Sequence, residues 1–239
     1  MKEINYLLGY KNMKIVQDDD MLKFSLDSVL LAHFVTLNPN TKNILDIGTG
    51  NAPIPLILSK LTSANICGIE IQKEVAALAV ESVKINNLEH QISIINDDIM
   101  DYAKNASKKY DIITCNPPFF KLNEGSNVNV SDYKKIARHE ISLDIQKLCK
   151  ASRSLLKTNG RLAIVHRPER LLEILFCFKE NNIEPKKLRF VYPSKGTEAN
   201  MLLIEGTLNG NPGLKIMDAL YVYEKNKYTD ELNAMFEKE

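Results

Sequence analysis

Between Asn43 and Glu180, short apolar runs that end on a polar or acidic residue alternate with helix-length amphipathic segments, and no other property of the chain restricts its fold as much. Asn43–Ile47, Ile66–Glu70, Ile92–Ile95, Asp111–Cys115 and Leu162–Val165 are nearly continuous apolar runs, the pattern of strands buried on both faces. Pro53–Leu61, Lys73–Asn86, Leu143–Leu156 and a segment from about Pro168 to Glu180 read as helices. The first tolerates proline in its opening turn, and Asn159 and Gly160 are expected to end the third. This repetition predicts the α/β class: a doubly wound, mostly parallel sheet of about seven strands with helices on both faces. Lys187–Tyr192 and Met201–Glu205 follow as strands with no helix between them, so they are expected to form an antiparallel edge.

The flanks are smaller. Met13–Val16 and Met21–Phe24 read as short strands around an Asp18-Asp19-Asp20 turn, and Ser25 or Asp27 then caps a helix reaching about Val35, with His33 on its core side. Asn209–Gly213 is a turn-rich break, followed by a strand near Leu220–Tyr223 and a few helical residues after Thr229. A length of 239 residues, 44% of them hydrophobic, suits one well-buried core, so 1–239 is read as one domain with 1–40 as a hairpin-and-helix extension. A formal charge of +1 means that a nucleic-acid partner is held by local patches, not by bulk charge. Cys67, Cys115, Cys149 and Cys177 are scattered without paired spacing, which points to buried thiols and not to a metal site. No leader-like start and no spanning apolar run is present, which fits a reducing cytoplasm, and a monomer is the expectation.

Chemistry concentrates where strands end. Asp46-Ile47-Gly48-Thr49-Gly50-Asn51-Ala52 sits at a strand-to-helix turn, where ligands dock in open parallel sheets, and its glycines let backbone approach a ligand. Pro53 spoils the dinucleotide fingerprint, and Asp46 repels phosphate while suiting an ammonium or a hydroxyl. Glu70 ends the second strand, where a carboxylate can take both hydroxyls of a ribose; Asp97 and Asp98 end the third, with Asp98 the better acceptor for an adenine amine. Each acid alone reads equally well as a helix cap or a solvated charge. Asn116, at the end of Asp111–Cys115, is held by Pro117 and Pro118 and lipped by Phe119 and Phe120, the form of a rigid polar pocket.

In this order the Asp-x-Gly-x-Gly loop, the two later acids and Asn-Pro-Pro-Phe resemble the class I S-adenosylmethionine-dependent methyltransferases that modify an exocyclic amine. Phe24–Leu31, His166–Leu171 and Ala199–Glu205 narrow the resemblance to the bacterial tRNA1(Val) adenine-N6 methyltransferases. It implies a Rossmann-like class I methyltransferase fold, S-adenosyl-L-methionine as cofactor, no metal, and a tRNA substrate methylated on an adenine beside the anticodon. It assigns the cofactor to Phe24, Asp27, Asp46, Gly48, Gly50, Asn51, Glu70, Ile71, Asp98 and Asn116, and catalysis to Asn116, Pro117, Pro118 and Phe119. Ala52 departs from the pattern, since relatives commonly carry glycine there. On this reading the Asn116 oxygen and the Pro117 carbonyl accept from the adenine amino group, and Phe119 stacks on the base.

Three acceptors remain open for such a loop: adenine N6 in tRNA, guanine N2 in ribosomal RNA, and a protein glutamine. A non-catalytic RNA-binding module is a reading of another class, and an intact Asn116 beside Asp46 and Glu70 speaks against it. Lys134, Lys135, Arg138 and His139, then Lys186, Lys187 and Arg189, and Arg167 and Arg170 are the candidate RNA contacts, each equally readable as solvated charge. His90 lies in a surface turn without a role.

Overall fold

The computed structural model describes residues 2–18, 26–117 and 144–236. A hairpin of β1 (Lys2–Leu7) and β2 (Tyr10–Asp18) precedes α1 (Leu26–Phe34). The alternation follows as β3 (Asn43–Ile47), α2 (Pro53–Leu61), β4 (Asn65–Glu70), α3 (Lys73–Ile85), β5 (Ile92–Asn96), α4 (Ile99–Asn105) and β6 (Tyr110–Cys115). After it come α5 (Ile145–Leu155), β7 (Leu156–His166), a 3-10 turn at Pro168–Arg170, α6 (Leu171–Glu180), β8 (Ile183–Ser194) and β9 (Met201–Leu208). The tail adds β10 (Lys215–Ile216), β11 (Leu220–Glu224), β12 (Lys227–Tyr228) and α7 (Asp230–Asn233).

One sheet runs β12-β11-β8-β9-β7-β6-β3-β4-β5, with β10 also against β8. Strands β3 to β7 are parallel, and β9 is antiparallel to both β7 and β8. Strands β8 and β11 therefore point the same way as β7. The expected antiparallel pair lies on the side away from β5, and the tail strands extend the sheet beyond it. Period-two alternation sorts the core into two layers. Ile44, Ile112, Ala163 and Leu203 face the layer formed by the hairpin, α1, α2 and α3, whereas Leu45, Ile113, Leu162 and Ile204 face α4, α5 and α6.

Two expectations are corrected. The N-terminal hairpin turns at Leu8-Gly9, with Gly9 at φ 79°, and Asp18 stands opposite Lys2 at the open end, so the aspartate run is not its turn. Strand β1 alternates polar and apolar over Glu3-Ile4-Asn5-Tyr6, but Ile4 and Tyr6 are 59% and 65% exposed, so its pattern marks no buried face. Met21–Phe24 lies outside the described residues, as does Ser25. Asn159-Gly160 does not end α5, because Leu156 is already extended (ψ 146°) and pairs with Tyr110; Asn159, at φ 62°, belongs to an irregularity within β7.

The basic candidates on β8, and Arg170 of the 3-10 turn, have partners within the protein. Lys187 lies over the Phe34 ring (4.2 Å), donating to the Phe34 carbonyl and to Thr36 Oγ1 (3.1 Å), so it braces α1 against the sheet. Arg189 is 9% exposed, pairs with Glu231 at 2.6 Å and donates to the Asp218 carbonyl at 2.9 Å. Lys186 donates to the Asn211 carbonyl, and Arg170 is held by both oxygens of Glu173 (2.5 and 2.6 Å). Lys186 and Arg189 thus fasten the tail to β8, and Arg170 pairs within its own turn. No helix among the described residues is long and apolar enough to cross a membrane, and all four cysteines are buried.

Candidate active site

From β3 the chain moves outward through β4 and β5 and returns on the other side of β3 as β6, which makes the carboxyl end of β3 the switch point of the sheet. Register then determines which side chains meet there. Asp46 stands opposite Thr114 of β6 on one side and Gly68 of β4 on the other. Thr114 Oγ1 donates to Asp46 Oδ1 (2.7 Å), and Thr49 Oγ1 donates to Oδ2 (2.7 Å). A β carbon on Gly68 would lie 2.8 Å from the Thr49 side chain and 2.9 Å from Ile94, so this strand glycine makes the space in which Thr49 reaches Asp46. Burial pushes the Asp46 carboxyl up to about 7, with the two hydroxyls opposing the shift and the Glu70 charge adding to it.

The loop after β3 offers bare backbone. Gly48 (φ 66°) and Gly50 (φ 58°) are left-handed, and a β carbon on either would project into open space. Thr49 N–H donates to the Ile69 carbonyl at 2.9 Å, tying the loop to β4. Ala52, at φ 72° and ψ 35°, enters α2 from the left-handed region, which explains physically why glycine suits this position. The Asn51 side chain, expected on the cofactor, is buried and donates to the Val16 carbonyl (2.8 Å), fastening the loop to β2.

Glu70 is 6% exposed and oriented by backbone: Gly50 N–H donates to Oε2 and Gln72 N–H to Oε1, both at 3.0 Å. Burial raises its pKa against those amides. Asn96 Nδ2 donates to the Glu70 and Ile71 carbonyls (2.8 and 2.9 Å), which fixes the turn that leaves Ile71 46% exposed beside the acid. Asp98 caps α4: its Oδ1 accepts from Met100 N–H (2.6 Å) and Asp101 N–H (3.4 Å). The cap reading therefore holds for Asp98, with its two backbone bonds on Oδ1.

Asn116 follows β6 directly, half-buried, and its Nδ2 donates to Ser28 Oγ of α1 at 3.4 Å. With the NH2 turned to Ser28, Oδ1 is the end available to accept. Pro117 is buried and Asp27 is half-buried in the first turn of α1. Pro118, Phe119 and Phe24 lie outside the described residues, together with Lys134, Lys135, Arg138 and His139. Sequence reasoning missed Ser28, Thr49, Thr114, Gly68 and Asn96. Only Gly68, a glycine inside an apolar strand, carried a signal that could have marked it.

Two buried acids at one sheet edge, bare backbone at Gly48 and Gly50 and an exposed Ile71 suit a cationic ligand with an apolar ring and vicinal hydroxyls. S-adenosyl-L-methionine has that chemistry. The family model described as the methyltransferase small domain matches residues 25–176. A tRNA1(Val) (adenine(37)-N6)-methyltransferase of Parabacteroides distasonis is 26% identical over 232 residues, covering 97% of this chain and 96% of that protein. Proteins of the same name in Trichodesmium erythraeum (30% identical; 74% and 77% covered) and Porphyromonas gingivalis (32%; 70% and 68%) are similar over shorter spans. Among solved structures, a predicted O-methyltransferase of Agrobacterium tumefaciens shares the fold at a TM-score of 0.70 and 16% identity, covering 87% of this chain and 96% of that one. TYW2 of P. horikoshii, in complex with MeSAdo, does so at a TM-score of 0.58 and 13% identity, covering 87% and 72%. The match over 25–176, on the strands whose ends carry Asp46, Glu70 and Asn116, and the likeness to the relatives place the chain in the methyltransferase small domain family.

Proposed function

We infer that this protein transfers the methyl group of S-adenosyl-L-methionine to the exocyclic N6 of an adenine in tRNA, with the relatives' names pointing to adenine 37 of tRNA1(Val). The observation that carries the reading is the meeting, at one switch point, of a buried acid bracket on β3 and β4 with the Asn116 amide on β6. The whole chain, 1–239, is read as one cytoplasmic methyltransferase domain.

The cofactor supplies a methyl group already activated on a sulfonium. What the protein must improve is the nucleophile, because the adenine amine shares its lone pair with the ring. Asn116 Oδ1 and the Pro117 carbonyl accept the two N–H groups, which turns the nitrogen towards tetrahedral geometry and directs its lone pair out of the ring plane. Pro118 stiffens the loop, and Phe119 stacks on the base; unpaired loop bases lower the cost of presenting it. On the other side Glu70 holds the ribose hydroxyls and Asp46, through Thr49 and Thr114, shapes the loop that receives the cationic end. Gly48, Gly50, Ile71, Asp27 and Asp98 complete the cofactor-binding set of this reading, with Phe24 added by the family resemblance.

Incubation with labelled S-adenosylmethionine and unmodified total tRNA, followed by nucleoside analysis, tests the reading. N6-methyladenosine is expected. Label confined to guanosine or to protein would reject adenine as the acceptor.

A further inference from the structure

The cations that sequence reasoning set aside for RNA on β8 turn out to be internal braces, yet another cationic feature stands at the active-site edge. Because β8 and β11 point the same way as β7, their carboxyl ends lie on the edge that carries Asn116. Phe190 is level with His166 across β9, so Tyr192 is two residues higher and the strip rises from there. Tyr221 is the register partner of Tyr192, their rings 5.5 Å apart, and Tyr223 is the partner of Ser194. Tyr223 stacks on Tyr228 across the β11–β12 hairpin, with centroids 5.2 Å apart and planes 19° apart. Four tyrosines thus form a strip, and Tyr223 in it is 42% exposed.

At the tip of the hairpin Lys225 and Asn226 are both left-handed (φ 49° and 62°), the form of a two-residue primed turn in which Asn-Gly is the favoured pair. A lysine occupies the first place all the same. Lys225 and Lys227 are exposed and have no ion-pair partner among the described residues, and Lys195 is exposed at the end of β8. The acids nearby in sequence are Glu224, opposite Lys227, Glu198 in the β8–β9 loop, and Asp230 and Glu231 at the start of α7, of which Glu231 is paired with Arg189. The strip begins about three strand spacings from β6, roughly 14 Å, a span that a few unpaired nucleotides bridge.

We propose that the tyrosine strip Tyr192–Tyr221–Tyr223–Tyr228 and the Lys225–Lys227 hairpin are the docking surface for the RNA strand leading away from the base at Asn116. This rests on the RNA reading above and adds the place where the RNA is held. Tyrosines offer stacking faces, and lysines on a strained tip sit where phosphates pass; a protein partner would call for a broader apolar core than one exposed tyrosine provides.

Binding of an unmodified tRNA pool, read by fluorescence anisotropy across a salt series without methyl donor, tests the surface apart from turnover. The double variant Lys225→Glu/Lys227→Glu is expected to weaken binding at least ~10-fold and to flatten the salt dependence by about 1.5 to 2 in log–log slope, the loss of two phosphate contacts. Tyr223→Ala is expected to weaken it about fivefold or more with the slope retained. Both variants should keep their affinity for S-adenosylmethionine, which reports intact folding, and in turnover should raise KM for tRNA with kcat within about twofold. Wild-type affinity and slope in both variants would overturn the proposal. So would a change in oligomeric mass with RNA affinity intact, which would assign the surface to a second copy of the chain. A protein that binds tRNA through these residues but forms no N6-methyladenosine would refute the adenine reading and leave the surface standing.

Discussion

The two sides of the active-site edge are built differently. On the cofactor side both oxygens of Asp46 and both of Glu70 are held by hydroxyl or backbone donors at 2.7 to 3.0 Å, all within the protein. On the acceptor side, among the described residues, Asn116 is steadied by one long contact, 3.4 Å to Ser28, on the far end of its amide. The first half is complete before any ligand arrives. The second leaves its acceptor oxygen for the substrate, so its bonds strengthen only when the reacting amine is in place, which is where binding energy accelerates chemistry.

If this contrast is right, Asn116→Ala strikes turnover and spares cofactor binding. We expect kcat to fall at least ~100-fold with the dissociation constant for S-adenosylmethionine nearly unchanged, measured by single-turnover kinetics and calorimetry. An equal loss in cofactor affinity would erase the division. Gly68→Ala is the opposite probe: the new methyl collides with Thr49 and Ile94, loosening the bracket on Asp46. Overpacking of this kind costs about 1 to 3 kcal/mol of stability, and cofactor affinity should fall with it while Asn116 is untouched.

How far the sequence foretold this contrast differs between its halves. Strand ends were legible because apolar runs stop abruptly at Asp46, Glu70 and Asn116 in a strand–helix rhythm. The supports were not, since the meeting of Thr114, Asp46 and Gly68 depends on interstrand register, which no local pattern encodes. Ser28 reaches Asn116 from 88 positions away, on a helix whose sequence reads as plain apolar packing. The place of the hairpin was not legible because the apolar positions of β1, Ile4 and Tyr6, face solvent, so their alternation points to no core.

The charge side of the comparison can be sharpened by pH. A cationic ligand prefers ionised Asp46, whose carboxyl in the free protein is pushed up to about 7, so binding below that pH must expel a proton. Cofactor affinity should weaken as pH falls from about 7, approaching tenfold per unit, and Asp46→Asn should flatten the slope. The same shift has a stability consequence of definite sign. The folded value lies above the usual 3.8, so the contribution is present below about 4 and lost as pH rises through about 7. Denaturant titrations across this window should therefore move in favour of the Asn variant as pH rises.

Ser28→Ala tests the acceptor side gently. Losing one neutral, long hydrogen bond is worth about 0.5 to 1.5 kcal/mol, so kcat should fall about 3- to 10-fold with KM for the cofactor unmoved. No change would mean that Pro117 and its neighbours alone orient the amide.

The smallest effect lies on the cofactor side and has the opposite sign. Ala52 is held left-handed at the entrance to α2, fully buried, with its N–H bonded to the Thr49 carbonyl at 3.0 Å. That conformation costs an alanine about 1 to 2 kcal/mol, while a glycine adopts it freely but surrenders more chain entropy on folding. The first term is the larger, so Ala52→Gly should stabilise the protein by about 0.5 to 1 kcal/mol, read as a higher denaturant midpoint at unchanged slope. Cofactor affinity should be equal or slightly better, because the loop geometry is already the one glycine favours. A destabilised Gly variant would mean that the alanine methyl packs in the core strongly enough to outweigh its backbone strain, and the loop after β3 would then be held by its side chains more than by its backbone.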